Sequence, residues 1–296
     1  KVVVVNPGVA RPLPAYPDAF PAAHRMDRFG LDSSHDYDRV WRFVSDNRLA
    51  LSVHGAAGYT YLPPAQQSPT SFVANHILGH ASLLTESAKS LILGGVYHRF
   101  PDLRIAYLEG GAGWAVDLMH STVEHFEKRG PEGLALLDPA GLDTSALAAE
   151  FRRAGMPATD PTVDLSTGDA TTAEDEWAES GLTNVDEIIA LFRDRFFVGC
   201  EADDRSVRRA FDEVGNAAGA RIHAMFSSDI GHWDVPRIAD VVLHSRELVD
   251  CGAITDADYQ RFMFRDAVAF HAGADPEFFA GTAVADAAAA ELRSPA

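Results

Sequence analysis

The sequence predicts an α/β fold built on a parallel sheet. Three observations carry that prediction. Short apolar runs alternate with stretches of helical spacing, in the repeating order strand, loop, helix. Five such runs can be counted, starting near Lys1, Leu49, Arg104, Phe196 and Ile222. Polar residues stand where the runs stop, at Asn6, His54, Glu109, Glu201 and Asp229. Parallel strands need crossover connections, usually helical, and their functional sites gather at the carboxyl ends of the strands.

Lys1 to Val5 (KVVVV) reads as a strand buried on both faces. A chain seldom begins inside such a strand, and no Met stands first. The expectation is that part of the folded unit lies upstream of Lys1. The Pro-rich run NPGVARPLPAYPDAFPAAH then reads as a long extended loop. Asp36 to Asn47 has helical spacing of Val40, Phe43 and Val44, with Asp36 favouring the helix N-terminus. LALSVHG is a short strand ending in His54. A helical stretch covers about Ser71 to Arg99, with Gly94-Gly95 near its end. RIAYL is the next strand; it ends at Glu109, and Trp114 to Lys128 is helical. Helix Asn184 to Arg195 leads into strand FFVG, ending in Cys200-Glu201. Val207 to Val214 is helical, IHAMF is a strand ending in SSD, and Val235 to Val249 and Asp256 to His271 are helical. The Ala-rich tail, 276–296, reads as a terminal helix. Five strands suffice for a doubly wound sheet. An eight-stranded barrel needs three more, and these would lie before Lys1.

Of the 296 residues 47% are hydrophobic and 23% charged, which describes a folded chain. The net charge of −18 argues against nucleic acid and against anionic membrane surfaces. No apolar run approaches the roughly 20 residues that span a bilayer. Two cysteines make no disulfide scaffold, and nothing resembles a signal peptide, so a reducing, cytoplasmic setting is expected. Residues 131–190 hold 13 Asp/Glu against two Lys/Arg and are rich in Gly, Ser, Thr and Pro. They read as a surface insertion, with a lid over the site as the alternative.

One imidazole and several carboxylates on one rim can hold a divalent metal. NHILGH places His76 and His80 at i and i+4, a spacing that can bind metal, but Ile77 stands where the zincin glutamate would be. Either histidine can reach the strand ends from its helix, or simply pack or cap. His232, three residues beyond Asp229, can bond a carboxylate or meet substrate. Trp233 beside it is a candidate substrate contact, as is His80. Arg11, in the Pro-rich loop, is a candidate clamp for a substrate carboxylate. There is no G-x-S-x-G elbow and no phosphate-loop spacing; GGAGW at 110–114 supports nucleotide binding only weakly.

The run AKSLILGGVYHRFPDLRIAYLEGGAGW and the later MFSSDIGHWDVP resemble the amidohydrolase-related family of metal-dependent hydrolases, in the branch that contains aminocarboxymuconate-semialdehyde decarboxylase. A weaker resemblance runs from KVVVVNPG through GLDSSHDYDRVW to the terminal helix; the acidic stretch matches least. The resemblance implies a distorted (β/α)8 barrel whose first strands lie upstream of residue 1. It would form one catalytic domain over 1–275, with a C-terminal tail over 276–296. It implies one divalent ion, zinc or alternatively manganese, with the family's mid-chain histidine falling on His54 and its last-strand aspartate on Asp229. The family's first-strand H-x-H or E-x-H pair has no counterpart in this sequence, and Glu109 stands where many relatives carry histidine. The implied activity is hydrolysis of a small molecule. Asp229 would be both ligand and proton shuttle, and Glu109, His76 and His232 would orient substrate or move protons. The alternatives are non-oxidative decarboxylation of a small aromatic or unsaturated acid, and a metal-free binding or scaffold role. The family resemblance also makes a homodimer an expectation.

Overall fold

Residues 1–12, 24–55, 68–136, 143–155 and 175–293 are described in the computed structural model. Seven strands occur among them: β1 Val2–Val5, β2 Val9–Pro12, β3 His24–Asp27, β4 Ala50–His54, β5 Ile105–Leu108, β6 Phe196–Cys200 and β7 His223–Phe226. The helices are α1 Asp38–Asp46, α2 Phe72–His76, α3 Gly79–Leu93, α4 Val96–Arg99, α5 Gly113–Arg129, α6 Pro131–Ala135 and α7 Thr144–Arg153. They continue with α8 Val185–Arg195, α9 Val207–Ala210, α10 Val241–Asp250, α11 Asp256–Gln260, α12 Asp266–Ala274 and α13 Ala285–Glu291. A π-helical turn, Arg261–Arg265, joins α11 to α12.

All five strands counted in the sequence pair in parallel, in the order β1-β4-β5-β6-β7. The order never reverses, so the topological switch point of a doubly wound sheet is absent among the described residues. Right-handed crossovers advancing in one direction put their helices on one face. The core agrees. Leu51, Val53, Ile105, Tyr107, Phe196 and Val198 pack with α1, α3, α5 and α8 in one large cluster. Alternate residues Ala50, Ala106, Phe197 and Met225 face the other way and meet Phe270 of α12. This is the winding of a barrel, although the sheet remains open among the described residues, with β1 and β7 at its edges.

Four expectations need correction. β1 is not buried on both faces: Val3 and Val5 join the helix-side core, whereas Val2 and Val4 are 45% and 60% exposed. The reason is its place at the sheet edge, with only β4 beside it among the described residues. The Pro-rich run is not all loop, because β2 and β3 form an antiparallel ribbon with Arg11 opposite Arg25; residues 13–23 lie outside the described residues. The helix expected over 71–99 is three helices. Leu78 adopts a left-handed φ of 57° between α2 and α3, and Gly95 one of 67° before α4. The acidic stretch lies partly outside the described residues, at 137–142 and 156–174. Its last part is not a surface feature: Trp177 is buried against Phe126, and its indole N–H donates to the Arg129 carbonyl. No helix among the described residues is long and apolar enough to cross a membrane.

His271 on α12 tests this packing. Its ring stacks on Phe278 at 4.4 Å, and its Nδ1 is buried without a hydrogen-bond partner. Burial pushes its pKa down to about 4. An unfolded histidine titrates near 6.5, so between these values the unfolded chain binds the extra proton. Stability is therefore full above the unfolded pKa and is lost as pH falls toward 4. In urea titrations, His271→Phe is expected to lose about 1 kcal/mol less than the parent chain between pH 7 and pH 5, a figure discounted for the ring's partial solvation. Equal losses in the two chains would show that His271 is not neutral in the folded state.

Candidate metal and catalytic centre

The sheet sets the site. His54 shares its strand parity with Ala50 and Ser52, so it points away from the helix-packed face. By the same alternation Glu109 would follow Ile105 and Tyr107 into the helix side. It does not, because its φ is +69°, which breaks the extended chain and turns the side chain toward His54. His54 Nε2 and Glu109 Oε2 are 2.6 Å apart. Asp229, after β7, is also left-handed, with φ +47°. Two strained non-glycine residues at adjacent functional positions are the pattern expected where geometry serves chemistry.

Glu109 and Asp229 follow strands two apart, roughly 10 Å in a flat sheet. Yet Glu109, Asp229 and His232 each offer a donor atom within 4.8 Å of the others. Gly199 of the intervening β6 helps them close. A Cβ there would lie 2.5 Å from Ser227 Oγ and 2.8 Å from Leu108 Cδ2, so the flanking strand ends approach one another only over a bare backbone. Gly55 does the same for His80: a Cβ would sit 2.8 Å from His80 Nδ1.

The side chains close into a ring of neighbours. His80 Nδ1 lies 3.6 Å from Glu109 Oε2, and the His80 ring is 6.4 Å from His54 and 5.5 Å from His76. His76 stacks on Phe72 at 5.2 Å, and Phe72 meets Trp233 edge-on at 6.2 Å. Trp233 lies 6.0 Å from the His232 ring, and His232 Nδ1 is 3.3 Å from Asp229 Oδ2 while bonding Asp234. The circuit thus runs from Glu109 round to Asp229 and back.

The charges are unequal. The hydrogen bond from His54 holds the Glu109 carboxyl below its ordinary range, and the same bond raises His54. Burial lowers His80, whose Nδ1 has no hydrogen-bond partner. Asp229 is raised by burial and then by Glu109. Glu201, at the end of β6, is pushed up to about 7 by lost solvation and by Asp203, Asp229, Glu109 and Asp234.

Of the residues expected from sequence, His54, His76, His80, Glu109, Asp229, His232 and Trp233 all belong to this circuit. His54, expected to be a ligand, has its Nε2 on Glu109 and lies outside the set of three mutually close donors. Arg11 is elsewhere in its contacts. It donates to Tyr37 Oη at 2.8 Å and lies 3.7 Å from the buried Asp27, fastening the β2–β3 ribbon to the start of α1. Phe72 and Asp234 were not singled out from sequence as site residues, and Glu201 was named at its strand end without a role. Asp234 sits two residues from His232 in the same loop, and Glu201 at a strand end, so the signals were there; Phe72 gave none. The GGAGW turn is already occupied: Asp204 and Ser206 accept from Ala112 N, and Ser206 also from Gly113 N, leaving these amides no anion to bind. A separate cavity of about 1120 Å³ between α3, α5 and residues 175–179 has none of the circuit's residues in its lining.

No family model matches this sequence, and no curated protein does. Among solved structures, the chain is similar to an amidohydrolase from Mycobacterium avium subsp. paratuberculosis K-10, at 15% identity and a TM-score of 0.48. The likeness covers 91% of this chain and 50% of that one, so this chain spans about half the length of the structure it matches. The reading of the site stands on this chain's own residues.

Gly55→Ala is expected to cost about 1–3 kcal/mol in denaturant unfolding, because the new methyl must displace His80. The cost should shrink by about 1 kcal/mol or more in Gly55→Ala/His80→Ala relative to the sum of the single changes. Strict additivity would show that His80 does not occupy the space above Gly55.

Proposed function

We propose that this chain carries the centre of a metal-dependent hydrolase, with one divalent ion held by Glu109, Asp229 and His232. The observation that carries the reading is the mutual approach of these three donors at the carboxyl ends of parallel strands, two of them on left-handed backbone. The donor set fits. Two carboxylates and an imidazole suit zinc or manganese, with oxygen donors favouring the harder ion. The buried, unpartnered His80 Nδ1 beside Glu109 adds a further nitrogen to the neighbourhood. A bound ion would supply Lewis acidity toward a substrate carbonyl and acidify water.

The chain's own groups do the rest. His54 bonds Glu109 from behind and fixes its orientation, as the outer partners of ligands commonly do. Asp229, whose pKa is raised by burial and by Glu109, would take a proton from an attacking water and return it to the leaving group. Asp234 orients His232 through its Nδ1. Glu201, His76 and His80 line the approach to these atoms. Arg11, committed to Tyr37, supplies no clamp for a substrate carboxylate, so decarboxylation as the second reading would rest on the ion alone to hold that group.

Metal content decides the matter. After chelation and dialysis against zinc or manganese, elemental analysis is expected to give about one ion per chain. Asp229→Asn and Glu109→Gln should each weaken binding more than tenfold, and His54→Gln about ten- to a hundredfold, the effect of losing an outer partner. A folded chain that takes up neither ion overturns the proposal in favour of a metal-free binding role.

A further inference from the structure

We infer that the substrate of this site presents an organic cation, an ammonium group on an apolar body, to a mouth made of aromatic rings and carboxylates. The inference rests on the reading of the strand ends as a catalytic centre and adds the class of molecule it receives.

The first observation is the apolar rim. Trp233 is 71% exposed and Phe72 50%, and they touch each other across the opening. Ile230 and Ile77 on the same two segments are exposed as well. Single exposed apolar residues are ordinary, but a contiguous group rimming a polar centre marks a binding surface. The two rings meet edge to face and so present one joined apolar surface beside the polar centre.

The second observation is the sign of the charge beneath that rim. A divalent ion would neutralise Glu109 and Asp229. Asp234 and Asp203 would remain, and Glu201 in part. The charges acting most strongly on Glu201, Asp229 and Asp234 are neighbouring acids and histidines; no Lys or Arg is among them. The whole sequence has 25 Lys and Arg, and every one lies within the described residues. The residues outside them therefore hold no hidden cation. Arg237, three residues beyond Asp234, pairs with Asp240, and Arg205, two residues beyond Asp203, is exposed to solvent. A substrate carboxylate would meet like charge here, whereas an ammonium gains both from the carboxylates and from the faces of Trp233 and Phe72.

The test is binding, in metal-free and zinc-loaded protein, of three probes of similar size: benzyltrimethylammonium, benzyl alcohol and benzoate. Isothermal titration is expected to show saturable binding of the cation, at least tenfold tighter than the alcohol, and none of benzoate in the metal-free protein. Trp233→Ala and Asp234→Asn, checked for native circular dichroism, should each weaken the cation about fivefold or more. Benzoate binding as tightly as the cation overturns the inference, as does a cation affinity that neither substitution changes. Zinc uptake is read separately. Cation binding without zinc uptake would keep the mouth and remove the hydrolase reading. Zinc uptake with preference for benzoate would do the reverse.

Discussion

The arrangement of this site depends on one backbone conformation, the left-handed turn at Glu109. Strand alternation alone would place that carboxylate among the buried helix-side residues, where an unpaired charge costs several kcal/mol. The positive φ carries it over the end of β5 to His54 instead. A non-glycine residue held there costs of order 1–3 kcal/mol, and it persists because its surroundings over-determine it. They do so here through His54, through the Gly55 gap that admits His80, and through the close approach of Leu108 and Ser227 over Gly199. Each is a device for bringing the ends of separate strands together.

The winding of the sheet explains why those devices suffice. Because the strand order advances without reversal, the helices stack on one face and the strand ends form one continuous rim. His54, Glu109, Glu201 and Asp229 then follow one another along it in strand order. Flat spacing would leave Glu109 and Asp229 too far apart to share an ion. The gap is closed by the two left-handed residues turning inward and by the absence of a side chain at Gly199. The fold supplies the row; three local departures from regular strand geometry make it a centre.

The row was legible in the sequence because it depends on element order and on which residue stands at each strand end. The five strands were found for the same reason: their apolar runs are short, β-branched or aromatic, and punctuated. What escaped depends on contacts that periodicity does not encode. The short β2–β3 ribbon gave no strand signal in the sequence, and Asp27 at its end gathers Phe29, Ser33 and Tyr37 from the segment that follows. That same network takes Arg11 from any substrate role suggested by its loop. His76 and His80 do come together, but not on one helix; the break at Leu78 separates α2 from α3 and still leaves the rings 5.5 Å apart. Phe72 was invisible because an aromatic at a helix start usually faces the core, and only the exposed rim gives it another meaning.

The electrostatics of the rim support a single account of why it is built this way. Two carboxylates bonded to an imidazole are held down, Glu109 by His54 and Asp234 by His232, whereas burial and Glu109 keep Asp229 raised. Glu201 has no such partner, and its pKa rises toward neutrality. Five acids gathered without a lysine or arginine among their strongest neighbours repel one another, a cost that structural packing alone would not retain. A structural role would be served better by an apolar side chain at Glu201 or Asp229. An uncompensated negative rim has a use when something positive arrives. A divalent ion would answer to the inner pair, its charge of two balanced by Glu109 and Asp229. The outer acids would still face the aromatic rim after that neutralisation, which is why the proposed substrate is a cation.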